Sequence, residues 1–372
     1  MGSVIFIAGI SMIILMVWFF LIALRFGKHW QKGFRVELAF SQEQAAEGEP
    51  LYLYETITND KKQILPAISV KFKTSRYLKF AGDVGGTVSD YYYRNDVLSV
   101  RGYEKVRRSC RFLCMRRGEY EITEAELVAQ DPILYHQYVE KVEVCTKLIV
   151  YPSFVSAERL MPVFQRSMGE MMTKRPIFED PFEYVGVRDY VPGDSMNRIH
   201  WKVSAKQGKW QVKTNAYKAA SPVTIVLNLE SPGVFVNEGA MEESIRLAYS
   251  LIWLFEEKGI GTTLVANGES SCHVEGMGKS HLGQVRKTLA TISYKNNAKK
   301  GAAMLTREQE QGNENNYLFF ISASAKQEIQ EELEKIRRRG RDITWILPIC
   351  GHEDESDKVQ ESLKKHLVLW RC

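Results

Sequence analysis

Asp194 and His200 stand six positions apart in Phe182 to Lys213, a segment dense in charge and aromatic rings. A carboxylate and an imidazole within reach of one substrate can pass a proton between them. Cys145 adds a thiol that can act as a nucleophile. The companions that such chemistry uses are missing. The chain contains no nucleophile elbow, phosphate loop or HExxH, and no GxGxxG follows a strand. A histidine beside Trp201 without an aligned partner is expected to serve structure, so no catalytic residue is assigned. The six cysteines (Cys110, Cys114, Cys145, Cys272, Cys350 and Cys372) are scattered without a CxxC or a histidine-rich partner run. That spacing argues against zinc and against a disulfide framework, and favours reduced thiols. No cofactor is expected.

The same segment holds Pro192-Gly193-Asp194, a turn whose aspartate can bond its own backbone. Arg188 is placed to pair with Asp194 or Asp189 and fix that turn. Gly186, Arg188, Tyr190, Gly193 and Asp194, followed by Arg198, Ile199, Trp201, Lys202 and Ala205, closely resemble the signature of the domain of unknown function 58 family. Arg116 to Tyr120 and Val150-Tyr151-Pro152 also look like that family. The resemblance implies an N-terminal membrane segment, a β-rich region, the signature, and then a von Willebrand factor A-like domain. It further implies work beside a MoxR-type AAA+ ATPase and a transglutaminase-like membrane protein, in chaperone-like assembly or maturation of other proteins at a bacterial envelope. Gly186, Arg188, Tyr190, Gly193, Asp194, Arg198, Trp201 and Lys202 are then the expected structural or contact core.

One departure from the pattern touches metal chemistry. A metal-holding von Willebrand A domain carries D-x-S-x-S after its first strand, an aspartate and two hydroxyls suited to a hard cation. The aligned residues here are Asn228, Leu229, Glu230, Ser231 and Pro232. An amide replaces the first carboxylate, Glu230 takes a hydroxyl's place, and Ser231 falls one position off. The site reads as degenerate and no metal is assigned. A metal-dependent ligand-binding protein is the alternative, and an enzyme using Asp194 and His200 is a more distant one.

The elements that must position these residues follow from patterning. The chain has 372 residues, with 50 Lys+Arg against 45 Asp+Glu and 45% hydrophobic residues. This is a globular composition that excludes disordered and collagen-like chains, and the length allows two or three domains. Val4 to Leu24 is 21 residues without a charge, about 31 Å as a helix and enough for a hydrocarbon core of about 30 Å. No basic residue precedes it and no A-x-A cleavage site follows, which disfavours a removed signal peptide. Arg25, Lys28, Lys32 and Arg35 come directly after it. The positive-inside rule therefore predicts a single pass with the N-terminus outside and the rest cytoplasmic.

Residues 1–36 are read as anchor and basic flank, and 37–151 as a β-sandwich-like, immunoglobulin-like domain with period-two strands such as Leu51 to Thr58. Cys110 to Cys114 and Tyr120 to Ile122 are expected to pair through Arg117-Gly118-Glu119. Residues 152–220 are read as a connecting region carrying the signature at 182–213, with room for one short helix before it. Residues 221–372 alternate strands with helices and predict a mostly parallel sheet. The fold class is thus α+β multidomain. Arg101 to Arg117 carries seven cations against Glu104 alone. Such a run either guards a strand edge or faces anionic lipid or an acidic partner. Without a recognition motif it does not suggest nucleic acid. The sequence supports a membrane-anchored, non-enzymatic interaction protein.

Overall fold

In the computed structural model of the chain, residues 2–81, 87–88, 91–131, 136–174, 179–192, 194–217, 223–231, 233, 236–269, 271–294, 300–312, 316–351 and 356–372 are described. Gly193 and Pro232 lie outside them. The chain divides into two compact units, Met1–Ser153 and Phe154–Cys372.

The first unit begins with helix α1, Gly2–His29. Met12 to Leu21 are apolar and exposed on every side of it, as a helix facing lipid must be and a core helix cannot. Gly9–Gly27 is, among the described residues, the one helical stretch long and apolar enough to cross a membrane, with a mean hydropathy of 2.3. The end of α1 behaves differently. Phe26 and Trp30 are fully buried in the core of the β-strands that follow, and Phe26 packs against Tyr138 with ring centroids 6.0 Å apart.

Ten strands follow: β1 Phe34–Phe40, β2 Gln44–Ala46, β3 Pro50–Asn59, β4 Leu65–Ser75, β5 Leu78–Phe80, β6 Thr87–Val88, β7 Tyr91–Val100, β8 Lys105–Cys114, β9 Gly118–Gln130 and β10 Gln137–Tyr151. They form a four-stranded sheet, β1-β3-β8-β5, and a six-stranded sheet, β2-β10-β9-β4-β7-β6. Alternation decides which faces meet. Val36, Leu38, Leu51, Leu53, Ile57 and Phe112 from one sheet pack with Ile68, Val70, Ile122, Leu127 and Leu148 from the other. Each fully buried aliphatic or aromatic side chain contributes about 1.5–3 kcal/mol.

One strand pairing differs from expectation. β8 and β9 are not a hairpin: β8 pairs with β3 and β5, and β9 with β10 and β4. Gly118, at φ 148°, begins the strand that enters the second sheet. Both strands carry apolar inner faces, and placing one in each sheet lets those faces cover each other. β5 meets β8 only over Phe112 to Cys114. Lys105, Arg107 and Arg108 therefore line a stretch of β8 with one described neighbouring strand, where charge resists edge-to-edge pairing. Arg107 also stacks on Tyr54, 4.3 Å from the ring centroid.

In the second unit, residues 157–174 form a full helix, α2 Ala157–Lys174. Leu160, Phe164 and Met171 enter the same core as the sheet described next. A strand hairpin, β11 Glu179–Asp189 and β12 Gln211–Tyr217, encloses a short helix, α3 Trp201–Gln207. The remaining chain runs β13 Val223–Asn228, α4 Glu238–Glu257, β14 Thr262–Asn267, β15 Ser271–Gly276, α5 Lys279–Thr291, α6 Gly301–Gln311, β16 Tyr317–Ser322, α7 Gln327–Arg338, β17 Ile343–Ile349, α8 Glu361–Lys364 and β18 Leu367–Arg371.

The sheet order is β15-β14-β13-β16-β17-β18. Every pairing is parallel except β14 with β15. Period two divides β16 between two cores: Phe319 and Ile321 face α2 and α4, while Leu318 and Phe320 face α6 and α7. β15 and α6 carry the weakest patterns in this unit. The first is a polar edge strand, SCHVEG, and the second buries only Gly301, Leu305 and Glu308.

Cys350 and Cys372 are brought within disulfide reach, with Cα atoms 5.1 Å apart, a pairing that the scattered spacing of the cysteines does not predict. Their separation of 22 residues hides the cause. β17 and β18 are parallel neighbours, so both cysteines leave the sheet at the same end, where the Cys372 amide donates to the Ile349 carbonyl at 3.0 Å.

Candidate functional site

The signature residues sit on the β11–β12 hairpin and its helix. β11 ends at Asp189 and the chain turns back through residues 190–200 to α3. Arg188 Nη1 and Nη2 donate to Asp194 Oδ2 and Oδ1 at 2.7 and 2.6 Å, a bidentate pair. The Val191 amide also donates to Asp194, at 2.9 Å. The turn is thus closed on the Asp194 carboxylate, whose pKa the guanidinium, then that amide, hold down to about 2. The same bond raises the pKa of Arg188. Of the two expected partners for Arg188, Asp194 takes the side chain. Asp189 offers its carbonyl to Arg188 and its carboxylate to Gln211.

His200 opens α3 as its N-cap, its Nδ1 accepting from the Val203 amide at 3.4 Å. Gly208, at φ 66°, closes the helix in the left-handed conformation that glycine adopts without strain. The His200 amide donates to the Gln211 carbonyl at 2.7 Å, and the Gln211 amide to Ser204 Oγ at 2.8 Å. These bonds bind α3 to β12 over a small core of Ile199 and Val212. Tyr190 meets Trp210 edge-on, 5.3 Å between centroids.

What this framework leaves outside is apolar. Trp201 is 63% exposed and Trp210 51%, and Val191 and Met196 are exposed as well. Arg198 and Lys202 are exposed among them. Aromatic side chains surrounded by charge on a braced frame have the composition of a protein contact surface. Asp194 is held as an anion by a cation, and His200 is used in a cap.

The second site lies where the sheet reverses direction. From β13 the chain first builds outward through β14 and β15, then returns to add β16 on the other side, and ligand crevices form at the carboxyl ends of strands at such a point. Asn228, Asn267 and Ser322 end those three strands and are buried. Asn228 Nδ2 donates to Ser322 Oγ at 2.9 Å, and Asn267 Nδ2 donates to Asn228 Oδ1 at 2.6 Å. Asn228 Oδ1 also accepts from the Glu230 amide at 3.1 Å, and Asn267 Oδ1 from the Leu229 amide at 2.6 Å.

Glu230 turns its carboxylate to the Lys326 ammonium at 2.6 Å and to the Gly301 amide at 2.7 Å. A neutral amide at 228 both donates and accepts, so it closes the network without an ion. The Glu230 carboxylate is thus balanced by the Lys326 ammonium. Among the described residues no cluster of three or more His, Cys, Asp or Glu side chains is arranged to hold a metal.

The structure therefore brings Arg188, Tyr190, Asp194, Arg198, Trp201 and Lys202 together on one module with Gly186 in its strand, and sets Asn228 and Glu230 in a separate network. Ser231 follows Glu230 in the chain and is half-buried. Trp210, Asn267, Ser322 and Lys326 are additions to the sequence reading. Trp210 stands two residues after Gly208 and has no motif to mark it. Lys326 closes the small-residue run Ser322 to Ala325, whose position after a buried strand is its only signal.

Residues 186–344 match the family described as "Protein of unknown function DUF58". No curated protein matches the chain. Among solved structures, a non-cellulosomal cohesin from the archaeon Archaeoglobus fulgidus is similar at 12% identity, covering 35% of this chain and 97% of that one, with a TM-score of 0.22. The ASH/PapD-like domain of human CEP192 is similar at 14% identity over 32% of this chain and 86% of that one, TM-score 0.21. The alpha-2-macroglobulin of E. coli is similar at 16% identity over 33% of this chain and 7% of that one, TM-score 0.23.

Proposed function

Taking residues 186–344 as a DUF58 region, we propose that the chain is a membrane-anchored, non-enzymatic adaptor that presents its β11–β12 module to a protein partner. By family resemblance that partner is a MoxR-type AAA+ ATPase, with a transglutaminase-like membrane protein nearby, and the process is assembly or maturation of other proteins. The observation that carries the reading is the braced module: the Arg188–Asp194 pair is spent on holding a turn, while Trp201 and Trp210 are left facing outward. The finer fold assignments belong to the same reading. The strand order with its reversal at β13 supports a von Willebrand A-like domain, and two facing sheets support an immunoglobulin-like one. The basic flank after α1 supports an outside N-terminus and a cytoplasmic body.

The test is recovery of an ATPase by the full chain in detergent with ATP present. The full chain is needed because Phe26 and Trp30 belong to the core of the first unit. Trp201→Ala and Trp210→Ala are each expected to lower recovery at least tenfold, as loss of an interface anchor of about 2 kcal/mol does. His200→Gln is expected to retain it. Recovery of no ATPase sinks the reading, and substrate turnover abolished by His200→Gln favours an enzyme instead.

A further inference from the structure

The exit of α1 from the first unit is built as a platform. Lys61 Nζ donates to the carbonyls of His29, at 3.2 Å, and Trp30, capping the end of the helix. The Asp60 amide donates to the Gly33 carbonyl at 2.6 Å, and the Tyr103 amide to the Lys61 carbonyl at 3.0 Å. Asn59, fully buried, donates from Nδ2 to the carbonyls of Gln63 at 2.9 Å and Arg101 at 2.7 Å. A Cβ at Gly102 would lie 2.4 Å from the Lys62 carbonyl oxygen. The β3–β4 turn, the β7–β8 turn and the helix end are therefore locked to one another by backbone groups.

This platform displays Ile64 and Tyr103, 57% and 74% exposed. Tyr103 has φ 57°, the one non-glycine residue with positive φ among those described. A bulky residue held in that region marks a constraint, and here it holds an aromatic ring out at the tip of a turn. Lys32, Arg35, Lys62, Arg101 and Lys105 are exposed around it. The nearby acids point to donors of the platform itself: Asp60 to Arg35 at 2.5 Å, Glu104 to the Arg101 amide at 2.6 Å, and Glu140 to Gln31 at 2.6 Å. The distance to a bilayer follows from the helix. Trp30 lies six residues past Leu24, about 9 Å at 1.5 Å per residue. The headgroup layer on each side of a hydrocarbon core is about 5–8 Å deep.

We propose that this end of the sandwich is a lipid-contact surface. Ile64 and Tyr103 lie in the bilayer interface, and the surrounding lysines and arginines face anionic headgroups. An amphipathic ring and clustered cations within a Debye length of such a surface are what it attracts. The proposal rests on α1 being membrane-inserted. It turns the anchor from a tether into a fixed mount that sets the sandwich's orientation to the membrane.

The test uses the full chain with Cys145, Cys272, Cys350 and Cys372 replaced by serine. A single fluorophore-labelled cysteine is introduced by Ile64→Cys, Tyr103→Cys or, as a control, Met115→Cys. Met115 follows the far end of β8, ten residues or about 33 Å away. Each protein is reconstituted into phosphatidylcholine vesicles with or without phosphatidylserine and with a nitroxide-headgroup lipid as quencher. Labels at 64 and 103 are expected to be quenched at least threefold more than at 115, with phosphatidylserine increasing the difference and Lys62→Glu with Arg101→Glu reducing it. Flotation with the vesicles separates the two readings. A chain that floats with equal quenching at all three positions overturns the lipid surface alone. A chain that does not float removes the membrane reading and the proposal with it.

Discussion

Asp194 decides whether the exposed module keeps its shape. Its carboxyl is held at about 2, first by the Arg188 hydrogen bonds and then by the Val191 amide, against an ordinary aspartate value of about 3.9. A depressed folded pKa contributes stability above the unfolded value, and that contribution is lost as pH falls through the folded one. The clamp is therefore expected to be indifferent to pH from 8 down to about 4 and to open toward pH 2. Carboxyl-carbon NMR should give Asp194 a midpoint near 2, and a midpoint near 4 would mean that the bidentate pair is not formed in solution. Asp194→Asn is expected to speed exchange of the Val191 amide at neutral pH. At the second site, Lys326 is the residue to remove. Wild type is expected to show no Mn²⁺ binding by calorimetry. Lys326→Ala frees Glu230 beside Asn228 and is expected to bind Mn²⁺ weakly, at about 1 mM, as sparsely charged oxygen sites do. Tight binding by wild type that Glu230→Ala abolishes would contradict a Glu230 carboxylate balanced by Lys326.

Among the elements, α1 joins two environments. Its first part is exposed and apolar, while Phe26 in its last turn and Trp30 just after it enter the β core. A Cβ at Gly27 would lie 2.7 Å from the Tyr138 ring. Gly27→Ala is thus expected to cost about 1–3 kcal/mol through overpacking, and Trp30→Ala about 3–5 kcal/mol through a cavity, each read as a lower midpoint in thermal unfolding of the detergent-solubilised chain. Neither effect was legible from the sequence, where Val4 to Leu24 reads as a helix that stops at its basic flank. What was legible had a strong period: Leu51 to Ile57 lies in a strand as expected, and residues 221–372 alternate strands with helices around a mostly parallel sheet as expected. What was not legible depended on partners distant in the chain. β8 and β9 each satisfy period two, and only the facing sheet decides that they part. α6 buries too narrow a stripe to announce itself, and β15 is recognisable only once β14 offers an edge. The Arg188–Asp194 pair was legible because its two residues are six positions apart. The Asn228 network was only half visible because Asn267, Ser322 and Lys326 arrive from three separate segments.

For the molecule as a whole, side-of-membrane and cysteine chemistry are one question. A cytoplasmic body, as the flank of Arg25, Lys28, Lys32 and Arg35 predicts, sits in a reducing pool. The Cys350–Cys372 geometry permits a disulfide there but does not require one, since the strands already place both cysteines at one sheet end. Cys145 is exposed on β10 in the first unit and reports the same compartment independently. In intact cells an impermeant maleimide is expected to leave Cys145 unlabelled, while a permeant one labels Cys145, Cys350 and Cys372 without added reductant. Mild oxidation of the extracted protein is then expected to protect Cys350 and Cys372 together and leave Cys145 reactive. The opposite pattern, Cys145 labelled from outside and the pair already closed in cells, would reverse the orientation. It would also place the β11–β12 module beyond the reach of a cytoplasmic ATPase. The proposed single-pass topology puts all three cysteines on one side, so it requires the two measurements to agree.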